Sequence, residues 1–200
     1  MSSILDTLTQ QLSGGTLSQM SRQLGTDEAT TQNAVSMALP LLLGGLARNA
    51  AQPAGADALG RALDADHDGS LLDDPSALLS NPQAFSGGGI LGHILGARQA
   101  PVAEGVGRAT GMNQQQVMQL LVMLAPLIMG ALGRAKRQGG IDAGGLAPAL
   151  QREQAQIEQR APGAGGILGS ILDRDHDGGI ADDIARMGGG VLGNIFGRKA

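Results

Sequence analysis

Two short acidic runs carry the clearest chemistry in the chain. The first reads Asp64-Ala65-Asp66-His67-Asp68-Gly69-Ser70-Leu71-Leu72-Asp73-Asp74. Calcium collects about six to eight oxygen ligands, and alternating carboxylates ahead of a turn-forming glycine can wrap around one such ion. Asp64, Asp66 and Asp68 would supply side-chain oxygens, Ser70 its carbonyl, and Asp73 or Asp74 the closing carboxylate. The second run repeats the pattern with Asp173, Asp175, Asp177, the Gly179 carbonyl, and Asp182 or Asp183. Both depart from the EF-hand pattern, whose twelfth position is a bidentate Glu, because that position holds Pro75 in one run and Ile184 in the other. The expectation is two weak calcium sites, with affinities of roughly 10⁻⁵ to 10⁻³ M. The plainer alternative is helix capping, since Asp74 directly before Pro75 fits an N-cap followed by proline at the first helical position. Capping does not call for three alternating carboxylates, which repel one another without a cation, so metal binding is preferred. His67 and His176 fall at even positions of the runs and read as solvated side chains rather than ligands.

Other chemistry is sparse. With three His and no Cys, there is no thiol catalysis, disulfide framework or cysteine zinc site. No Ser-His-Asp set, paired-histidine motif or phosphate-binding G-x-x-x-x-G-K-[ST] loop is legible either. The chain is therefore not read as an enzyme.

The elements that position these loops must be helices. Apolar residues make up 42% of the sequence, yet it holds two Phe and no Trp or Tyr. A core of Leu, Ile, Val, Met and Ala suits helix packing, and no segment shows period-two alternation between hairpin turns. Thr26 to Arg48 matches Met112 to Arg134, with Pro126 lying 86 residues after Pro40, Gly130 after Gly44, and Arg134 after Arg48. The acidic runs match at a spacing of 109, and the extra 23 residues of the second half fall at 138–160. The fold class read from this is all-α, with duplicated helical bundle units each followed by a short EF-hand-like acidic loop. The first unit covers 1–86 with its loop at 64–74, the second 87–187 with its loop at 173–183, and 188–200 forms a C-terminal Gly-rich helix.

Within each unit, Gly25 and Gly111 suit the left-handed residue that ends a helix. Thr26 or Asp27, and Asn113, suit the N-cap of the long helix that follows. Pro40 and Pro126 are expected to kink or break those helices, and 144–160 reads as a more exposed helix. Gly88, Gly92 and Gly96 recur at four-residue spacing, as do Gly189, Gly193 and Gly197, and are expected to allow tight intramolecular packing. The C-terminal copy begins a further unit, so self-association through the Gly-rich helices is an additional expectation, testable by light scattering against a chain ending at Gly188.

Leu17 to Val35 has the outline of a helix-turn-helix, but its second helix opens on Asp27 and Glu28 rather than on cations. A mildly acidic chain with 14 Lys and Arg makes no strong case for nucleic acid. The apolar window Val117–Gly133 is shorter than the roughly 20 residues that span a bilayer and reads as a core helix. The N-terminal residues lack a secretory pattern, so a cytoplasmic address is the default, with leaderless export left open. The preferred function is a non-catalytic calcium-binding structural or interaction module whose protein partner is not legible. The alternatives are a DNA-associated regulator and a membrane-associating glycine-zipper protein.

The run ALPLLLGGLARNAAQPAGADALGRALDADHDGSLLDD (38–74), GGGILGHILG (87–96), the helix around Pro126 and the second acidic run together resemble the bacterial domain-of-unknown-function family 937, the YidB-like proteins. The resemblance implies an all-helical protein compared with homeodomain-like bundles. It carries over no catalytic residue.

Overall fold

The computed structural model describes residues 4–13, 15–65, 69–80, 85–139 and 143–160. Among them there is no strand. The helices in order are α1 (Ile4–Gln11), α2 (Gly15–Leu24), α3 (Glu28–Ala50), α4 (Pro53–Ala65), α5 (Pro75–Ser80), α6 (Gly87–Leu95), α7 (Gln99–Thr110), α8 (Gln114–Gly139) and α9 (Ala143–Arg160), with short 3₁₀ turns at Ser70–Leu72 and Gly96–Arg98.

Two long apolar helices form the centre. In α3, residues from Leu41 to Ala47 are buried without a break, and in α8 so are residues from Met123 to Gly133. A helix apolar on all sides belongs in a core, and the others surround these two: α2, α4, α6, α7 and α9 pack on α3, while α1, α6 and α7 pack on α8. Helix α8 is long and apolar enough to cross a membrane, beyond what the shorter apolar window implied, but 78% of its most apolar stretch is buried in the protein.

Local signals set where the long helices begin. Asp27 caps α3, accepting from the Thr30 N–H at 2.8 Å and the Thr30 hydroxyl at 2.7 Å. Those two bonds, the side-chain one foremost, hold the Asp27 carboxyl below the usual aspartate value. Asn113 and Gln116 form a reciprocal capping box on α8, each side-chain oxygen accepting from the other's N–H at 2.9 Å. The Gln116 amide also donates to the Leu24 carbonyl at 2.9 Å, tying the start of α8 to the last turn of α2. Gly25 (φ +65°) and Gly111 (φ +77°) adopt the left-handed conformation expected of residues that end α2 and α7.

Two expectations change. Neither proline breaks its helix: α3 runs through Pro40 and α8 through Pro126. Burial of the flanking residues Leu39 and Leu41, and Ala125 and Leu127, holds each helix despite the missing N–H. The sharp bend, 118°, comes between α3 and α4, where Pro53 opens the new helix and disfavours helical geometry at Gln52. The glycine stripe does not pack tightly either. A Cβ at Gly88 or Gly96 would meet nothing within 4 Å, and one at Gly92 only Gln99 Nε2 at 3.9 Å. Gly96 instead ends α6 with φ +54°. Close approaches occur at other glycines, among them Gly87, against Val122 of α8, and Gly45, against Ile94 of α6; the rotation of each helix about its axis selects which glycines face a neighbour. As expected, α9 is more exposed than α3 or α8 over its described side chains. Leu146 and Leu150 are nonetheless buried, and the helix lies against α3 and α4.

Candidate functional site

The first acidic run links α4 to α5. Asp64 sits in the last turn of α4. Gly69 follows with φ +89°, and the Ser70–Leu72 turn closes with the Leu72 N–H on the Gly69 carbonyl at 3.2 Å and the Asp73 N–H on the Ser70 carbonyl at 2.9 Å. Leu72 is buried, anchoring the loop on α8, where a Cβ at Gly130 would lie 3.5 Å from Leu72 Cγ and 3.8 Å from Leu71 Cβ. Asp74 caps α5, accepting from the Ala77 N–H at 3.3 Å. That is the capping geometry the Asp74-Pro75 pair suggested.

The last turns of α8 bring two cations to this loop. One Arg134 nitrogen donates to the Gly69 carbonyl at 2.8 Å and to Asp73 Oδ1 at 2.5 Å. Lys136 Nζ reaches Asp64 Oδ1 at 2.6 Å and the Gly60 carbonyl at 3.4 Å. The cations are the more buried members: Arg134 and Lys136 are 25% and 14% exposed, Asp73 and Asp64 73% and 68%. Such exposed carboxylates contribute no more than about 1 kcal/mol per pair. The arrangement is a fastener more than a source of stability, because Arg134 grips a backbone carbonyl and a side chain together. Gly69 is required twice over. Its φ is left-handed, and a Cβ there would lie 2.8 Å from Arg134 Cβ and 3.0 Å from the Gly130 carbonyl oxygen.

The described ligand candidates are therefore distributed rather than gathered. Asp64 meets Lys136, Asp73 meets Arg134, Asp74 meets a helix N–H, and the Ser70 carbonyl accepts from Asp73. Among the described residues no group of three or more His, Cys, Asp or Glu is placed to hold a metal ion. Asp66, Asp68, His67 and the whole second run, Asp173, Asp175, Asp177, Gly179, Asp182 and Asp183, lie outside the described residues, as does the C-terminal Gly-rich segment. Repulsion within the first run is eased by the chain's own cations, a partner that reading the run in isolation did not consider.

Sequence reasoning missed Arg134 and Lys136 as loop partners, although the match of Arg134 with Arg48 had drawn attention to that position. It also missed Glu153. This carboxylate is 6% exposed, and its Oε1 accepts from the Leu5 N–H at 2.8 Å, capping the first turn of α1 from 148 positions away. No local pattern signals such a partner. An apolar cleft of about 200 Å³ lies between α1, α2 and α3, lined by Leu5, Leu12, Leu17, Val35 and Leu39. It falls below the roughly 300–1,000 Å³ of usual small-molecule sites. The outer face of α3 presents Glu28, Gln32 and Asn33 after Asp27, an acidic opening that is a poor match for phosphate.

Compared with known protein families, residues 6–135 match the one described as "Bacterial protein of unknown function (DUF937)". No curated protein and no solved structure matches the chain.

Proposed function

We propose that this chain, which belongs to the DUF937 family, is a non-catalytic structural and interaction module built from two duplicated helical units. Its first acidic loop fastens one unit to the other, and calcium is a weak additional ligand of both loops. The observation that carries this is the grip of Arg134 and Lys136, from the second unit's long helix, on Gly69, Asp73 and Asp64 of the first unit's loop. Duplication draws support from register. Helices α3 and α8 start 86 residues apart, at Glu28 and Gln114, each after a positive-φ glycine and a polar cap, Asp27 or Asn113.

Calcium fits the first loop in part. Gly69 makes the left-handed turn a short oxygen-rich loop needs. Lys136 engages one oxygen of Asp64, and a carboxylate has a second, so that contact does not bar coordination. A resident ammonium beside the loop lowers the gain from an incoming ion, in keeping with weak affinity. When bound, the ion would neutralise Asp64, Asp66 and Asp68 together, and its binding free energy would add to folding stability. The test is thermal melting by circular dichroism with excess calcium, magnesium or chelator. A rise in Tm specific to calcium, reduced by Asp64→Ala and by Asp173→Ala, is expected. Identical melts in calcium and chelator would remove calcium and leave the fastener. Arg134→Ala, melted in chelator, addresses the fastener separately. Self-association through residues 188–200 remains part of the proposal, with equal monomeric masses of the full chain and of one ending at Gly188 as the refuting result.

A further inference from the structure

The cleft between α1, α2 and α3 has an apolar floor and a rim with a definite hydrogen-bonding sense. Leu5, Leu12, Leu17, Val35 and Leu39 make the floor, and the volume is about 200 Å³. A cavity of about 150 Å³ lined by such side chains holds benzene, so this one suits a body of about six carbons rather than a drug-sized ligand. The other lining residues are Thr9, Ser13, Gln32 and Ser36, all of them exposed. Each hydroxyl proton is already committed. Thr9 donates to the Leu5 carbonyl at 2.8 Å, Ser13 to the Gln10 carbonyl at 2.6 Å, and Ser36 to the Gln32 carbonyl at 2.9 Å. Their oxygens are left as acceptors. None of the described lining residues is charged, and Glu28 stands one turn before Gln32 along the same stripe of α3.

We infer that this cleft binds a small primary alkylamine, with a chain of about six carbons on the leucine and valine floor and the ammonium at the hydroxyl rim. An ammonium brings three N–H donors and no acceptor, which matches a rim of three hydroxyl oxygens whose protons are spent. A carboxylate of the same length finds a donor only in the Gln32 amide, and it meets the chain's net charge of −4. A neutral alcohol brings a single donor. Because the rim is exposed, the ammonium keeps part of its water while its carbon chain is buried, the same division that long lysine stems make at apolar surfaces. The cleft shares no residue with the first acidic loop, so this reading depends neither on calcium nor on the duplication proposed above.

Methyl chemical-shift titration of the full chain with hexylamine at about pH 7, where the amine is protonated as lysine is, tests this. Saturable shifts are expected at the methyls of Leu5, Leu12, Leu17, Val35 and Leu39. Hexan-1-ol should bind at least about 3-fold more weakly and hexanoate at least about 10-fold more weakly, since charge-assisted hydrogen bonds are the stronger ones. Val35→Phe, which fills the floor, should abolish binding of all three. Thr9→Val and Ser36→Ala lie at exposed positions and spare the core, so they give a reading even where Val35→Phe does not fold. Each should narrow the advantage of the amine over the alcohol. No saturable shift, or equal affinity for amine, alcohol and acid, overturns the inference. Nuclear Overhauser contacts from these methyls to residues 1–3 or 161–200 that hexylamine fails to displace show a cleft filled from within and overturn it too. Tighter binding of Nα-acetyl-lysine amide than of hexylamine reassigns the rim to the lysine of a protein partner and overturns a small amine.

Discussion

Two consecutive glycines in the middle of α3 should respond to the same substitution with different costs. Alanine in place of glycine inside a helix contributes about 0.5–1 kcal/mol of stability through backbone entropy, and that gain is shared by Gly44→Ala and Gly45→Ala. What differs is the neighbour. At Gly44 the new methyl meets nothing within 4 Å; at Gly45 it would lie 2.9 Å from the Ile94 carbonyl oxygen and from Ile94 Cγ2, where ordinary contact begins at 3.4 Å. The oxygen is backbone of α6, so α6 must retreat by about half an ångström, and forced overpacking of a core costs about 1–3 kcal/mol. The difference between the two variants isolates that clash. For a chain of this size it corresponds to about 2–12 °C in Tm, with Gly44→Ala the more stable. Gly92→Ala on α6, where the nearest neighbour would be 3.9 Å away, should behave like Gly44→Ala. Urea and thermal unfolding followed by circular dichroism would measure all three. Equal stabilities for the Gly44 and Gly45 variants would refute the helix contact on which the α3–α6 packing is built.

Other outcomes follow from single contacts. Glu153→Ala should destabilise the fold by about 1–3 kcal/mol, because the Leu5 N–H loses a buried acceptor; Glu153→Gln, which keeps a carbonyl oxygen, should cost less, and hydrogen exchange at Leu5 should rise in the alanine variant only. Asp27 has a folded-state pKa below its ordinary value of 3.8, so its contribution is complete above that value and is lost as pH falls through the lower, folded value. The stability gap between wild type and Asp27→Ala should therefore be constant above pH 3.8 and shrink below it, and a gap that widens on acidification would contradict the cap.

What could be read from the residues alone was local. Asp27 and Asn113 are caps because their side chains reach an N–H three residues ahead, a distance set by helix geometry wherever the helix lies. Gly25 and Gly111 end helices for the same short-range reason, and the lack of Trp and Tyr together with the wealth of Leu and Ala pointed to a helical core. The acidic run was visible as an unusual loop, but its partners were not. Arg134 stands 61 positions from Asp73, Lys136 72 from Asp64, and Glu153 148 from Leu5. Pairings at that range depend on how α8 and α9 are rotated and slid against the rest. The same rotation decided that Gly45 and Gly87 meet a neighbour while Gly88 and Gly92 do not, and packing around α3 and α8 decided that both prolines stay inside unbroken helices. Short hydrogen bonds follow from residue type and spacing. A charge's counterion, or a glycine's neighbour, follows only from the position of a second helix, which the burial of the whole core determines.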